Sequence, residues 1–213
     1  ARARAEQRLA EHGRGLTIHR DQVSMLPRMV TTPVAGARLS AAGPASAVEA
    51  ARTFLSVNRA VYGLSPAEVS SLRVVSTSTP ANGATIVRLG QYVGEVPVFG
   101  AEIAVVMSPD DHAVAATSGL LYPDAGAGAA RSTAALSARD ALARAATDLT
   151  GRVFAGADFV ETRVDGGGYT RFEFGPDRTN AGTPVFAEGV RARQVLFPIA
   201  AGEAIPAFYA EVV

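Results

Sequence analysis

Two rhythms of apolar residues organise the chain. Ala51, Phe54, Leu55, Val61 and Tyr62, with Asn58 among them, recur at three- and four-residue spacing, the period of a helix that buries one face. Ahead of them, Ser46-Ala47-Val48-Glu49 sets a hydroxyl at N-cap and a carboxylate at N3, the capping box that satisfies two backbone donors. Gly63 stands where a left-handed C-cap is wanted, so the spacing predicts an amphipathic helix of about four turns. After Ser65-Pro66 the period drops to two and β-branched residues dominate. Leu72–Thr79 and Thr85–Tyr92 read as a hairpin about Pro80–Gly83, and Val96–Met107 and Ala113–Leu121 as a second pair. Ser108-Pro109-Asp110-Asp111 joins the second pair, because Pro presets φ and Asp closes the bend.

The same order returns downstream. Ser137-Ala138-Arg139-Asp140 repeats the capping signal ahead of Ala138, Ala141, Leu142, Ala145 and Leu149, and Thr150-Gly151 ends that helix. Strands follow at Phe159–Val164, Tyr169–Phe174, Arg193–Ile199 and Ile205–Val213, with a turn at Asp165–Gly168 and a loop over Gly175–Thr183. Asp124–Ser132 is Ala and Gly with almost no bulk, suited to a flexible connector. Residues 1–45 are broken by Pro27, Pro33, Pro44 and four Gly, and read as an extended arm with short strands, although Ala1–Ala10 is helical in character. The expected fold is α+β: two cystatin-like units, each a helix packed on an antiparallel sheet, preceded by the arm. Expected boundaries are 1–45 for the arm, 46–123 for the first unit, 124–132 for the linker and 133–213 for the second unit.

Composition narrows the function. Twenty basic and twenty acidic residues cancel, so no global field draws the chain onto nucleic acid or an anionic membrane. All twenty basic residues are Arg, a bias we give no functional weight. Cys is absent, which excludes disulfides, thiolate nucleophiles and Cys-ligated zinc. No run reaches the roughly 18 apolar residues of a spanning helix, and Ala1–Ala10 lacks the apolar stretch of a signal peptide. The chain as given is therefore expected neither to cross a membrane nor to carry a signal peptide.

Catalytic signals are missing too. A zinc peptidase helix needs two His one turn apart with a Glu between, whereas His12, His19 and His112 are scattered. No Gly-x-Ser-x-Gly elbow exists. Gly166-Gly167-Gly168 joins two strands rather than a strand and a helix, so a hairpin turn is expected in place of a phosphate cradle. Asp110 and Asp111 lack the spacing of a calcium loop and follow a Pro, again a turn.

The most specific tract is Gln91-Tyr92-Val93-Gly94-Glu95-Val96-Pro97-Val98-Phe99-Gly100. By period it is two strands about a Gly94 turn, the second kinked by Pro97 and Gly100. With the Phe54-Leu55 helix and Tyr62-Gly63-Leu64, residues 47 to about 122 resemble the fungalysin and thermolysin propeptide family. Leu136–Leu142, Gln194–Pro198 and Tyr209–Val213 are similar to the PepSY type of domain, with Phe208-Tyr209 where that family usually carries Trp. The resemblance implies a non-catalytic pro-region of a secreted zinc metallopeptidase, one that inhibits its enzyme and assists its folding until proteolytic release. It implies no cofactor in this chain and zinc in the partner's catalytic domain. A free-standing secreted protease inhibitor or a PepSY-type binding module is the alternative.

A pro-region docks through the sheet face that its helix leaves open. The candidate contacts are Gln91, Tyr92, Pro97, Phe99 and Tyr122 in the first unit and Phe208, Tyr209 and Glu211 on the last strand, which join apolar area to hydrogen-bonding ends.

Overall fold

The computed structural model describes residues 1–43, 46–81, 83–129, 135–175, 189–200 and 202–212. The chain divides into two compact units: Ala1–Gly128 with Pro198–Ala204, and Ala129–Phe197 with Ile205–Val213. Each is α+β with an open sheet.

In the first unit the elements run α1 (Arg2–His12), β1 (Thr17–Arg20), β2 (Pro27–Thr31), α2 (Ala47–Tyr62) and α3 (Pro66–Ser70). Then come β3 (Arg73–Ser78), β4 (Thr85–Val93), β5 (Val96–Met107), β6 (Val114–Gly119) and the short α4 (Ala125–Ala129). The strands form an antiparallel sheet in the order β1-β2-β6-β5-β4-β3. Alternation decides which face is covered. Val87 and Leu89 on β4 and Ile103, Val105 and Met107 on β5 are buried, while Arg88, between the first two, and Glu102, just before Ile103, are exposed. The buried set joins Phe54, Leu55, Val61 and Tyr62 of α2 in one core.

Helix α2 begins and ends on the residues its spacing marked. The Ser46 hydroxyl accepts from the Glu49 N–H at 3.4 Å, and Gly63 adopts φ 78° at the C-cap. A reciprocal capping box forms one element later, at α3: the Ser65 N–H donates to Glu68 Oε2 at 2.8 Å and the Glu68 N–H to Ser65 Oγ at 3.3 Å. Sequence reading treated Ser65-Pro66 only as a break, yet Pro fits the first turn of a helix, where its missing N–H is no loss. At the far end of α2 the Tyr62 hydroxyl lies 2.7 Å from Thr117 Oγ1 on β6, both residues buried. Burial pushes the Tyr62 phenol well above its ordinary pKa, against the pull of the Thr117 bond.

The expected N-terminal arm is instead part of this unit. Ala5 and Leu9 of α1, Val30 of β2 and Leu39 are all buried in the same core. β2 pairs with β6 through Met29↔Ser118, Val30↔Thr117 and Thr31↔Ala116, and the Leu39 N–H donates to Val114 O at 2.6 Å. These apolar residues stand singly between Pro, Gly and charges, so they make no local period, and their partners lie some ninety positions away in the chain. The expected connector departs as well. Ala125–Ala129 forms α4, with Ala125 buried and Gly126 so close to Val93 that a Cβ there would meet its Cγ1 at 3.3 Å. The remainder of the expected connector, 130–132, lies outside the described residues.

The second unit is built from α5 (Ala138–Thr150), a 3₁₀ turn (Gly156–Asp158), β7 (Phe159–Val164), β8 (Thr170–Phe174), β9 (Val190–Ala200) and β10 (Glu203–Val212). β7 and β8 are antiparallel, as are β8 and β9, and β10 pairs with β9. The Ser137 hydroxyl caps α5 by accepting from the Asp140 N–H at 3.2 Å, and Gly151 closes it at φ 71°. Leu142, Ala143 and Ala146 pack with Phe154, Phe159, Phe172, Val190 and Ala192. Small residues on α5 leave room for aromatic bulk from the sheet: the Phe159 and Phe174 rings lie 5.2 Å apart, and Phe154 sits 5.8 Å from Phe174. Asp165–Gly168 turns between β7 and β8, its Asp165 carboxylate accepting from the Gly167 and Tyr169 N–H groups. Of the expected loop Gly175–Thr183 only Gly175 lies among the described residues, which resume at Gly189.

Removing the α2–β6 link tests how far it anchors the helix. Tyr62→Phe orphans the Thr117 hydroxyl and should cost about 1–2 kcal/mol by urea denaturation, and adding Thr117→Val should restore part of that loss. An unchanged midpoint in the single variant would show the bond to be idle.

Candidate functional site

The β4–β5 hairpin is irregular, and its irregularity makes a surface. Gly90 pairs with Glu102 and Tyr92 with Pro97, so β4 passes one residue, Gln91, where β5 passes 98–101. Gly100 takes up the slack at φ 67°, and Gly94 at φ 58° closes the turn between Val93 and Val96. Phe99 emerges 38% exposed. Gln91 goes the other way, buried at 2% exposure. Its Nε2 donates to Tyr122 O at 2.7 Å and its Oε1 accepts the Tyr122 N–H at 2.8 Å, so the side-chain amide stands in for a strand partner. Gln91 was expected to face outward, and this places it in the interior. Tyr122, which it holds, is half-buried; burial raises the Tyr122 phenol pKa, with the Asp21 carboxylate adding to the rise and Arg28 opposing it.

Around the turn the chain spends its charges on geometry. Arg73 donates to Glu95 through Nη1 at 2.8 Å and Nη2 at 2.6 Å, gives a further bond to Gly94 O, and stacks its guanidinium 4.5 Å from the Tyr92 ring centre. The Arg73 hydrogen bonds hold the Glu95 carboxyl below its ordinary pKa. In so exposed a pair this adds little stability, but it fixes the Tyr92 ring in place. Val75 lies across the strand: a Cβ on Gly90 would meet Val75 Cγ2 at 3.1 Å and Tyr92 Cε2 at 3.4 Å, so the glycine leaves room for both. Val74 and Val75 are 44% and 49% exposed on β3, which ends the sheet and is bulged between Val74 and Ser76. Tyr92 thus sits beside the β3 edge through Arg73, while Pro97 pairs with Tyr92 and Phe99 stands out from the irregular stretch of β5.

The last strand behaves differently from expectation. Phe208 packs against the second unit's core rather than standing out as an anchor. Glu211 is held by Arg191, whose Nε lies 2.6 Å from Oε2. Tyr209 meets Tyr169 edge-on with centroids 6.3 Å apart, while Arg191 and Arg193 stack on Tyr169 at 4.4 and 4.7 Å. The packing has a local cause: Arg163 faces Arg171 across β7 and β8, and Arg171 faces Arg191 across β8 and β9, three like charges in a row. Asp165, 3.6 Å from Arg171 Nε, and Glu211 offset that repulsion, and Tyr169 takes the remaining cationic faces. Four of the expected contacts, Gln91, Phe208, Tyr209 and Glu211, therefore have partners within the fold.

Two residues that the sequence separated are brought together. His12 and His112 line one cleft of the first unit, whereas exposed His19 lies on β1. Nothing in their local spacing signals this, since one ends a helix and the other sits in the turn after β5. Asp110 and Asp111 also stay in that turn, where Asp111 Oδ1 accepts from the Ala113 N–H. Among the described residues no group of three His, Asp or Glu could hold a metal ion.

The Gln91 amide is the part of the hairpin most open to test. Gln91→Leu keeps the volume but orphans the Tyr122 N–H and C=O, and should cost about 2 kcal/mol by denaturation. Hydrogen exchange at the Tyr122 amide should accelerate, and unchanged protection there would count against the role given to Gln91.

Residues 70–120 match the profile of the Fungalysin/Thermolysin Propeptide Motif, a tract that runs from the end of α3 through β6 and contains Gln91, Tyr92, Pro97 and Phe99. A comparison with curated proteins finds no match. Among solved structures the chain is similar to the YpeB C-terminal domain of Bacillus megaterium, at 11% identity and a TM-score of 0.36, covering 100% of this chain and 97% of that one.

Proposed function

We propose that the chain is a non-catalytic module that binds a peptidase of the fungalysin or thermolysin type and restrains it. The observation that carries this reading is coincidence of place: the matched tract, residues 70–120, is the same tract that holds half-buried Tyr92 and Pro97, exposed Phe99 and the open β3 edge. A non-enzymatic role also accords with a sequence free of Cys and with described residues that form no metal-ligating group.

The physics of such a module is simple. Edge β3 offers backbone donors and acceptors to an extended segment of the partner, and the neighbouring aromatics add area that water leaves on contact. Zinc belongs to the partner, not to this chain. The module acts in trans as a secreted inhibitor, and the same surface serves a tethered pro-region, where an effective concentration of order mM multiplies occupancy without a new contact. Because it binds the folded enzyme, it stabilises that form by mass action, which is the means of assisting folding. Two cystatin-like units and an extracellular site of action belong to this same reading.

The test is titration of a fungalysin-type catalytic domain from the same organism with this chain. Saturable inhibition at micromolar concentration is expected, weakened about tenfold by the double variant Tyr92→Ala, Phe99→Ala and unchanged by Val160→Ala on β7. Absence of binding at tens of micromolar would overturn the proposal, and binding without inhibition would leave a docking module that does not restrain its enzyme.

A further inference from the structure

A cleft of about 430 Å³ opens in the first unit between α1, α2 and the segment 39–43. Protein interiors pack to the density of organic crystals, so a space of this size is a shaped site rather than slack. Its floor is apolar: Leu9, Leu39, Ala50 and Phe54 are each no more than 4% exposed. Val57, 67% exposed, extends the apolar surface to the rim. Gly43 shapes the wall, because a Cβ there would meet Ala50 Cβ at 2.9 Å and His112 O at 3.1 Å. Any larger residue would push the segment off α2 and fill the opening.

The polar rim carries one guanidinium and two imidazoles. Arg8 and His12, four residues apart, share a face of α1, and His112 approaches from the turn after β5, held at φ 53° with its N–H donating to Ser108 O at 3.1 Å. Ser40, Thr53 and Asn58 are the neutral polar residues of the lining, and among the described residues no Asp or Glu lines the cleft. The acids nearest in sequence, Glu11 and Asp111, are outside the lining; Asp111 accepts from the Ala113 N–H, and Glu11 from Gln7. Among the described residues neither Arg8 nor His12 has a hydrogen-bond or ion-pair partner. In a chain whose formal charges cancel overall, a concave site lined by one guanidinium, two imidazoles and, among the described residues, no carboxylate favours an anion over a cation.

We infer that this cleft binds a small amphipathic carboxylate, its carboxylate at Arg8 and His12 and its hydrocarbon tail over Phe54 towards Val57. A space of about 430 Å³ lies within the range of small-ligand sites and has room for a medium-chain acid. The site is independent of peptidase binding, since it shares no residue with the hairpin surface.

The experiment is an NMR titration of the full chain with sodium octanoate, octylammonium and octanol. Octanoate is expected to saturate shifts at α1, 39–43 and α2 with a Kd of about 0.1–1 mM, at least tenfold tighter than either comparison compound. Arg8→Glu and Val57→Asp, both at exposed positions, should each weaken octanoate about tenfold while leaving the other amide resonances in place. Equal affinity for octanol, unsaturable shifts spread over both units, or undiminished binding by Arg8→Glu would overturn the inference. Binding of a short peptide carboxyl terminus in preference to octanoate would overturn the small-molecule assignment.

Discussion

A helix about 10 Å wide spans roughly two strands of a sheet whose strands lie about 4.8 Å apart, and the first unit has six. That mismatch governs the unit. Helix α2 covers β4 and its neighbours with Phe54, Leu55, Val61 and Tyr62, and α1 brings Ala5 and Leu9 to the same core. Two helices resting on one face need not be in contact along their whole length, and where 39–43 and the His112 turn fill in, a cleft is left. The other face of the sheet, and its β3 edge, stay open. Both the cleft and the aromatic hairpin surface are thus consequences of how much area one amphipathic helix can cover.

What the sequence made legible was whatever its local period carries. Helix α2 and helix α5 begin at the expected Ser caps and end at the expected Gly, because caps and C-terminal glycines are solutions to a problem within one turn of the chain. β5 and β7 have the bounds that alternation marks, Val96–Met107 and Phe159–Val164. Residues 1–43 were misread for the opposite reason. Leu9, Val30 and Leu39 each contribute one side chain to a core supplied mostly from elsewhere, and a single apolar residue between charges has no period.

The site shows the same division. That Pro97 and Gly100 disturb β5 was visible in the sequence, but not that the disturbance turns Gln91 inward onto the Tyr122 backbone. A glutamine reads as polar and therefore outward unless its partner is known, and this partner is thirty-one residues away. The internal partners of half-buried Phe208 and Glu211 were not legible either: strand alternation assigns two faces without telling which one a helix will cover or where a row of arginines will need a counter-charge. His12 and His112 converge through tertiary packing alone.

The bulge in β3 has a consequence for how the molecule keeps to itself. A terminal strand carrying exposed Val74 and Val75 invites a second copy to align beside it and continue the sheet without end. Between Val74 and Ser76 the ladder slips, leaving runs of two paired positions on one side and three on the other. Neither run is long enough to template an extended intermolecular sheet. The edge can therefore accept a short, shape-matched strand and still resist fibrillar growth, which lets a sticky surface persist at high concentration without becoming a nucleus.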